Sequence, residues 1–239
     1  MIVRDVEKWF SLNLDLQSRM IYMGSMHTHE DGSEGGVDHN MTECFIKGMH
    51  VLESKNKKPI TVIMNNPGGD WYHGMAIYDA IKYSNCHITI KVYGYAMSMG
   101  SVILQAADER IMMPNSRFMI HYGTDGIAGH TKIFEKWADE SKRNNWIMEN
   151  IYLDSMLEKE EKEGGGHLAG AISRILAKQK TFEIKSILPE AKITFSEKAE
   201  EKREQLRLHL ANLLNYDTIL SPEETIDLGF ADKIFERLP

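Results

Sequence analysis

The chain has 239 residues, 42% apolar and 26% charged, which suits one or two domains with a sizeable core and argues against overall disorder. Its 28 Lys plus Arg stand against 35 Asp plus Glu, and a net charge of −7 excludes the basic face of a general nucleic-acid binder. Apolar stretches fall short of the roughly 18–20 residues of a membrane-crossing helix, and the opening MIVRDVEKWFSLN has acids but no signal-peptide apolar run.

Residues 19–25 (RMIYMGS) read as a first strand, followed by a polar loop over 26–40. His27, His29 and His39 in that loop lack metal-ligand spacing, so no metal site is expected. Phe45, Met49 and Leu52 recur at helical spacing over 42–56. ITVIMN at 60–65 is a short apolar run expected to be a strand buried on both faces. A helix over 74–84, a strand over 87–96, a helix over 98–107 and a strand over 117–121 come after it. This alternation predicts an α/β fold with a mainly parallel sheet and right-handed crossovers. Residues 130–163 then read as one long helix, broken at Gly164–Gly166. An amphipathic helix over 167–182 and a charged helix over 196–214 come next. The runs Glu158–Glu163 and Glu197–Glu204 read as solvated faces, and Trp137 and Trp146 as core or subunit contact. The tail forms a helix opened by Ser221 and Pro222 and stopped at Gly229, then a short strand. Cys44 and Cys86 make no disulfide framework and read as reduced, buried thiols of a cytoplasmic protein.

Three strand ends carry chemistry. Asn66-Pro67-Gly68-Gly69-Asp70 joins a strand to a helix, and its glycines let backbone amides face a cavity as half of an oxyanion hole. Gly94-Tyr95-Ala96-Met97-Ser98-Met99-Gly100 is a second such junction, with Ser98 where the helix begins and the Met99 amide beside it. It departs from the G-x-S-x-G elbow, because Ala96 occupies the −2 position. His121 closes the third strand. Each motif alone has a structural reading: a turn, a helix cap, a strand-end histidine. Successive parallel strands, however, bring their ends to one sheet edge, and there the three make a nucleophile, a base and an oxyanion site.

At these residues the sequence resembles the proteolytic subunits of the ATP-dependent Clp protease, the ClpP family. The segments GYAMSMGSVIL, NNPGGD, PNSRFMIH and LSPEETIDLGFADKI carry the likeness, which spans 19–25, about 42–158 and about 208–235. The resemblance implies a ClpP/crotonase-like fold of repeated β-β-α units, with a mainly parallel sheet and a protruding helical handle, built as a single domain over 1–239. It implies Ser98 as nucleophile, His121 as general base, Asp217 as the acid orienting His121, and Gly69 and Met99 as oxyanion donors. Gly68 and Asp70 are expected to touch substrate. It further implies no cofactor, ATP being used only by a partner AAA+ unfoldase, polypeptide substrates, self-association into stacked heptameric rings, neither nucleic acid nor membrane as partner, and a cytoplasmic location. His121 and Asp217 stand 96 positions apart, about twice the family's spacing. The surplus, about 159–207, is expected to enlarge a handle running over about 130–207. Two other readings are a crotonase-like acyl-CoA enzyme, which uses the same amide pair without a triad, and a catalytically silent ring subunit. Fluorophosphonate labelling separates both from an active serine peptidase.

Overall fold

The computed structural model describes residues 3–25, 28, 34–124, 126, 128–163, 166–180 and 198–237. His27, His29, Gly164 and Gly165 lie outside them, as does 181–197 of the expected insertion. The chain divides into two compact units. The first comprises Met1–Met119, Leu220–Pro222 and Ala231–Pro239, and the second Ile120–Ile219 and Glu223–Phe230.

The chain runs α1 (Val3–Leu12), β1 (Leu14–Asp15), β2 (Met20–Met23), α2 (His39–Lys55), β3 (Ile60–Asn66), α3 (Trp71–Lys82), β4 (Ile88–Met97), α4 (Met99–Leu104), β5 (Glu109–Met112) and β6 (Arg117–Ile120). The chain continues through α5 (Thr131–Lys162), α6 (His167–Lys180), α7 (Ala199–Leu214), β7 (Thr218–Leu220) and α8 (Pro222–Asp227), and closes with β8 (Lys233–Ile234). The sheet order is β1-β2-β3-β4-β5-β8, antiparallel between β1 and β2 and parallel between its other neighbours. The architecture is the expected mixed α/β one. The elements α1, β1, β5 and β7 escape the sequence pattern, because each strand among them has two to four residues, too few to show a period.

β4 is the strand that carries Ser98 at its end. Its first half pairs with β5, Thr89 opposite Glu109, and its second half with β6, Met97 opposite Met119. Against β3 the register slips: Met64 faces Val92, but Asn66 faces Ala96. The extra residues make a bulge containing Gly94 at φ +71°, where a Cβ would meet Asn65 Oδ1 at 2.3 Å. Bulges bend a strand and re-aim the residues beyond them, here Ser98. The core beneath joins Ile60, Val62 and Met64 of β3 and Ile88, Ile90 and Val92 of β4 to Phe45, Met49 and Leu52 of α2 and Ile77 and Ile81 of α3. Removing each such side chain from water contributes about 1.5–3 kcal/mol. β3 alternates buried with half-buried residues, so the expectation of burial on both faces holds fully for one face only.

In the second unit α5 buries Met148, Tyr152, Leu153 and Met156 in its C-terminal half. Phe134 and Trp137 in its N-terminal half, and Trp146, are 47%, 44% and 59% exposed, so these aromatic residues are not core of this chain. Against the buried half stand an apolar stripe of α6 (Leu168, Ala171, Ile172, Ile175) and one of α7 (Leu206, Leu210, Leu213, Leu214). α8 ends in a Schellman turn: Phe230 N–H donates to Thr225 O and Gly229 N–H to Ile226 O, both at 2.9 Å. Gly229 has φ +83°, and a Cβ there would stand 2.6 Å from Ser155 O, so α8 closes on α5 only with glycine.

The charge runs correct one expectation. Glu160 is 2% exposed instead of solvated. Its carboxylate accepts the amides of Gly166 at 2.6 Å and Leu168 at 2.9 Å, and pairs with Lys202 Nζ at 3.2 Å, so it opens α6 and holds α7. Burial pushes its carboxyl up, but the Leu168 and Gly166 amides and the Lys202 ammonium outweigh that and hold it below the ordinary 4.5. A depressed carboxyl stabilises the fold above its unfolded pKa, and the contribution disappears as pH falls through the folded value. Glu160→Gln is therefore expected to cost about 1–3 kcal/mol at pH 7, through weakened charge-assisted hydrogen bonds. Below about pH 4.5 the gap to wild type should close. Urea unfolding of both proteins at pH 7 and in the acid range measures this, and a pH-independent gap contradicts it.

Candidate active site

Ser98 stands between β4 and α4 at φ +50° and ψ −124°. A non-glycine residue there costs on the order of 1–3 kcal/mol and persists only when its surroundings impose it. They do so through the backbone. The Ser98 amide donates to Met119 O at 3.0 Å, while its carbonyl accepts the Ser101 amide at 2.9 Å and the Ser101 hydroxyl at 2.5 Å. The Ser98 side chain makes no capping hydrogen bond to α4, so the helix-cap reading of this serine does not describe it. Although the sequence lacks the −2 glycine, the backbone forms a sharp strand-to-helix elbow that holds a half-buried Ser98 at its apex.

The 66–70 loop lies directly against Ser98. Gly68 has φ +101°, and a Cβ on it would sit 2.5 Å from Ser98 Cβ and 2.8 Å from Met97 O. Asn66, fully buried, accepts the Gly68 amide on Oδ1 at 2.9 Å and directs Nδ2 at Met41 Sδ at 3.4 Å. Val37 runs beside the loop like an added strand: its amide donates to Gly68 O at 2.6 Å, and its carbonyl accepts the Asp70 amide at 2.9 Å. The Asp70 carboxylate caps α3 by accepting the His73 amide at 2.9 Å. The amides of Gly68 and Asp70 are thus taken. Among the described residues no acceptor meets those of Gly69 and Met99. Gly68→Ala is expected to push the loop off Ser98 and lower reactivity toward a fluorophosphonate by about 10²-fold, the usual cost of a misplacement near 1 Å. Wild-type labelling rates in that variant contradict the packing argument.

His121 and Asp217 belong to the second unit and meet there, His121 Nδ1 lying 2.9 Å from Asp217 Oδ1. An ionised carboxylate only accepts, so Nδ1 carries the proton and the Nε2 of a neutral ring carries the lone pair. The His121 side chain is 20% exposed and that of Asp217 72%. The neighbouring acids are engaged elsewhere: Asp227 with Arg174 at 2.6 Å and Asp232 with Arg110 at 2.7 Å. Among the described residues no group of three or more His, Cys, Asp or Glu could hold a metal ion, and no helix is long and apolar enough to cross a membrane.

A family model described as Clp protease matches residues 18–163, more than half of the chain. The chain belongs to the Clp protease family. Ser98, His121 and the glycine loop fall within the matched residues and Asp217 beyond them. The ATP-dependent Clp protease proteolytic subunit of Deinococcus radiodurans is 35% identical over 140 residues, 57% of this chain and 64% of that one. Subunit 2 of the Pseudomonas aeruginosa protease is 32% identical over 130 residues, 54% and 65% of the respective lengths. The chain thus spans just under two thirds of the length of these relatives. Among solved structures, a ClpP1 mutant from Listeria monocytogenes shares the fold at TM-score 0.61 and 21% identity, covering 93% of this chain and 94% of that one.

Two features of this Clp-family site escape a reading of the sequence. Asn66 works through an Asx-type bond to the amide two residues on, a pattern its Asn-Pro-Gly context could have signalled. Val37 gives no such signal, because only the folded chain brings it to Gly69.

Proposed function

We propose that this chain is a serine endopeptidase, the proteolytic subunit of a Clp-type ATP-dependent protease, with Ser98, His121 and Asp217 as its triad. The observation that carries the reading is the strained Ser98 elbow, with the Gly68 backbone packed against it and the Met99 amide next in the chain. Ser98 Oγ attacks the peptide carbonyl while His121 Nε2 takes its proton. The Gly69 and Met99 amides stabilise the oxyanion, and His121 returns the proton to the leaving amine. Asp217 holds the imidazole in the required tautomer. Water repeats the sequence on the acyl-enzyme. No cofactor enters this chemistry.

Family membership supports the wider reading: unfolded polypeptides as substrates, stacked heptameric rings, an AAA+ unfoldase that spends the ATP, and a cytoplasmic setting. The exposed Phe134, Trp137 and Trp146 on α5 suit contact with another copy of the chain. The test is labelling with a fluorophosphonate and mapping of the adduct by mass spectrometry. An adduct on Ser98, with cleavage of a blocked hydrophobic fluorogenic peptide, is expected. A folded, assembled protein that stays unlabelled points to the silent-subunit reading instead.

A further inference from the structure

The backbone segments bearing His121 and Asp217 are tied to one point. Tyr122, next to His121, donates its amide to Leu214 O at 2.8 Å. Thr218, next to Asp217, donates its hydroxyl to Leu213 O at 2.5 Å. Both carbonyls lie in the last turn of α7, where helix C=O groups lack partners within the helix.

A line of side chains ties the body of α7 to α5 and to Tyr122. Tyr122 Oη donates to Glu149 Oε1 at 2.7 Å, and Arg207 Nη1 donates to Glu149 Oε2 at 2.7 Å. Arg207 Nη2 and Arg203 Nη2 both donate to Asn150 Oδ1 at 2.9 Å, and Arg203 Nη1 reaches Asp154 at 2.8 Å. Glu149 and Arg207 are 14% and 19% exposed, so water competes little for this pair. Burial, reinforced by Glu149, pushes the Tyr122 hydroxyl up, and it remains a donor at every working pH. The His121–Asp217 bond has no such shelter: with Asp217 mostly in water, it is too weak to set its own geometry.

We infer that Tyr122, Glu149 and Arg207 are positioning residues, the Glu149 carboxylate clamping the Tyr122 hydroxyl and the Arg207 guanidinium so that the His121 and Asp217 segments stay in hydrogen-bonding register. The inference rests on the reading of His121 and Asp217 as base and orienting acid. None of the three side chains is assigned contact with substrate, so they act through the backbone on either side of the pair.

The experiment compares full-length wild type, Tyr122→Phe, Glu149→Gln and the double variant. Deuterium exchange of peptides covering 120–124 and 213–219 is measured beside kcat and KM for a blocked fluorogenic peptide. Exchange in both segments is expected to quicken about tenfold in each variant, with the β3–β4 peptides unchanged. The kcat should fall about 10- to 100-fold at constant KM, and the double variant should be no worse than Glu149→Gln alone, as for residues that act as a unit. Tyr122→Phe deletes one oxygen and keeps the test available if Glu149→Gln fails to fold. Unchanged exchange in either segment overturns the inference, and so does faster exchange with an unaltered kcat. A wild type that neither cleaves peptide nor reacts with a fluorophosphonate defeats the peptidase reading separately. Exchange in the two segments then still decides for or against the clamp.

Discussion

Ser98→Ala is expected to lower the kcat for a fluorogenic peptide by about 10⁴-fold or more while leaving the fold unchanged. Two observations lead to this. Ser98 sits at φ +50° with the Met99 amide next in the chain and the glycine loop packed against its Cβ, an arrangement with a cost that a plain turn has no use for. The interactions that hold the elbow, moreover, run through the backbone amide and carbonyl of residue 98, which alanine keeps. Stability should therefore shift far less than activity, because those backbone bonds are kept. Binding of peptide should survive, since the 66–70 loop and its amides stay in place. Steady-state kinetics, a urea unfolding curve and native mass measured on the same preparation separate chemistry from folding. Peptidase activity that persists in pure Ser98→Ala would mean that another nucleophile acts.

The sequence is most legible where local pattern and local structure coincide. The β3–α3 and β4–α4 junctions can be placed within a few residues because buried strands read as continuous apolar runs and the helices after them have a clear period. The elbow itself is harder to read. Its usual marker, a glycine two residues before the serine, is Ala96 here, and the bulge at Gly94 that sets the strand end is visible only from the register of β3 on β4. Helical spacing marks the existence of α5 but not which half is buried. Phe134 and Trp137 fit the stripe and stay exposed, because burial depends on where α6 and α7 stop covering the helix. Glu160 and α7 show the same limit for charge. A Glu-rich run normally means solvent, yet here one carboxylate is buried because two helix-start amides and Lys202 satisfy it. The clamp on Tyr122 is hidden for another reason. Its members lie 27 and 58 positions apart along the chain, and nothing local links them.

Asp217→Asn tests the least local part of the site, since Asp217 lies 96 positions from its partner and beyond the family match. The expected loss is up to about 10⁴-fold in kcat at neutral pH. A carboxylate can only accept, and so it fixes the proton on Nδ1 and the lone pair on Nε2. An asparagine amide can instead donate to Nδ1, which favours the tautomer protonated on Nε2, and that nitrogen then cannot take the proton of Ser98. Stability should hardly move, because an ion pair with a 72% exposed carboxylate contributes about 0–1 kcal/mol at most. The two nearby acids should behave in the opposite way. Asp232→Asn weakens a part-buried pair with Arg110 and should cost stability with kcat largely kept, and Asp227→Asn weakens contacts with Arg174 and His167, again with kcat largely kept. Kinetics and unfolding curves for the three variants therefore form a crossed pattern. An Asp217→Asn protein that cleaves peptide at the wild-type rate, while Asp227→Asn or Asp232→Asn is inactive but folded, would remove Asp217 from the triad and shift the register of the chain beyond α7.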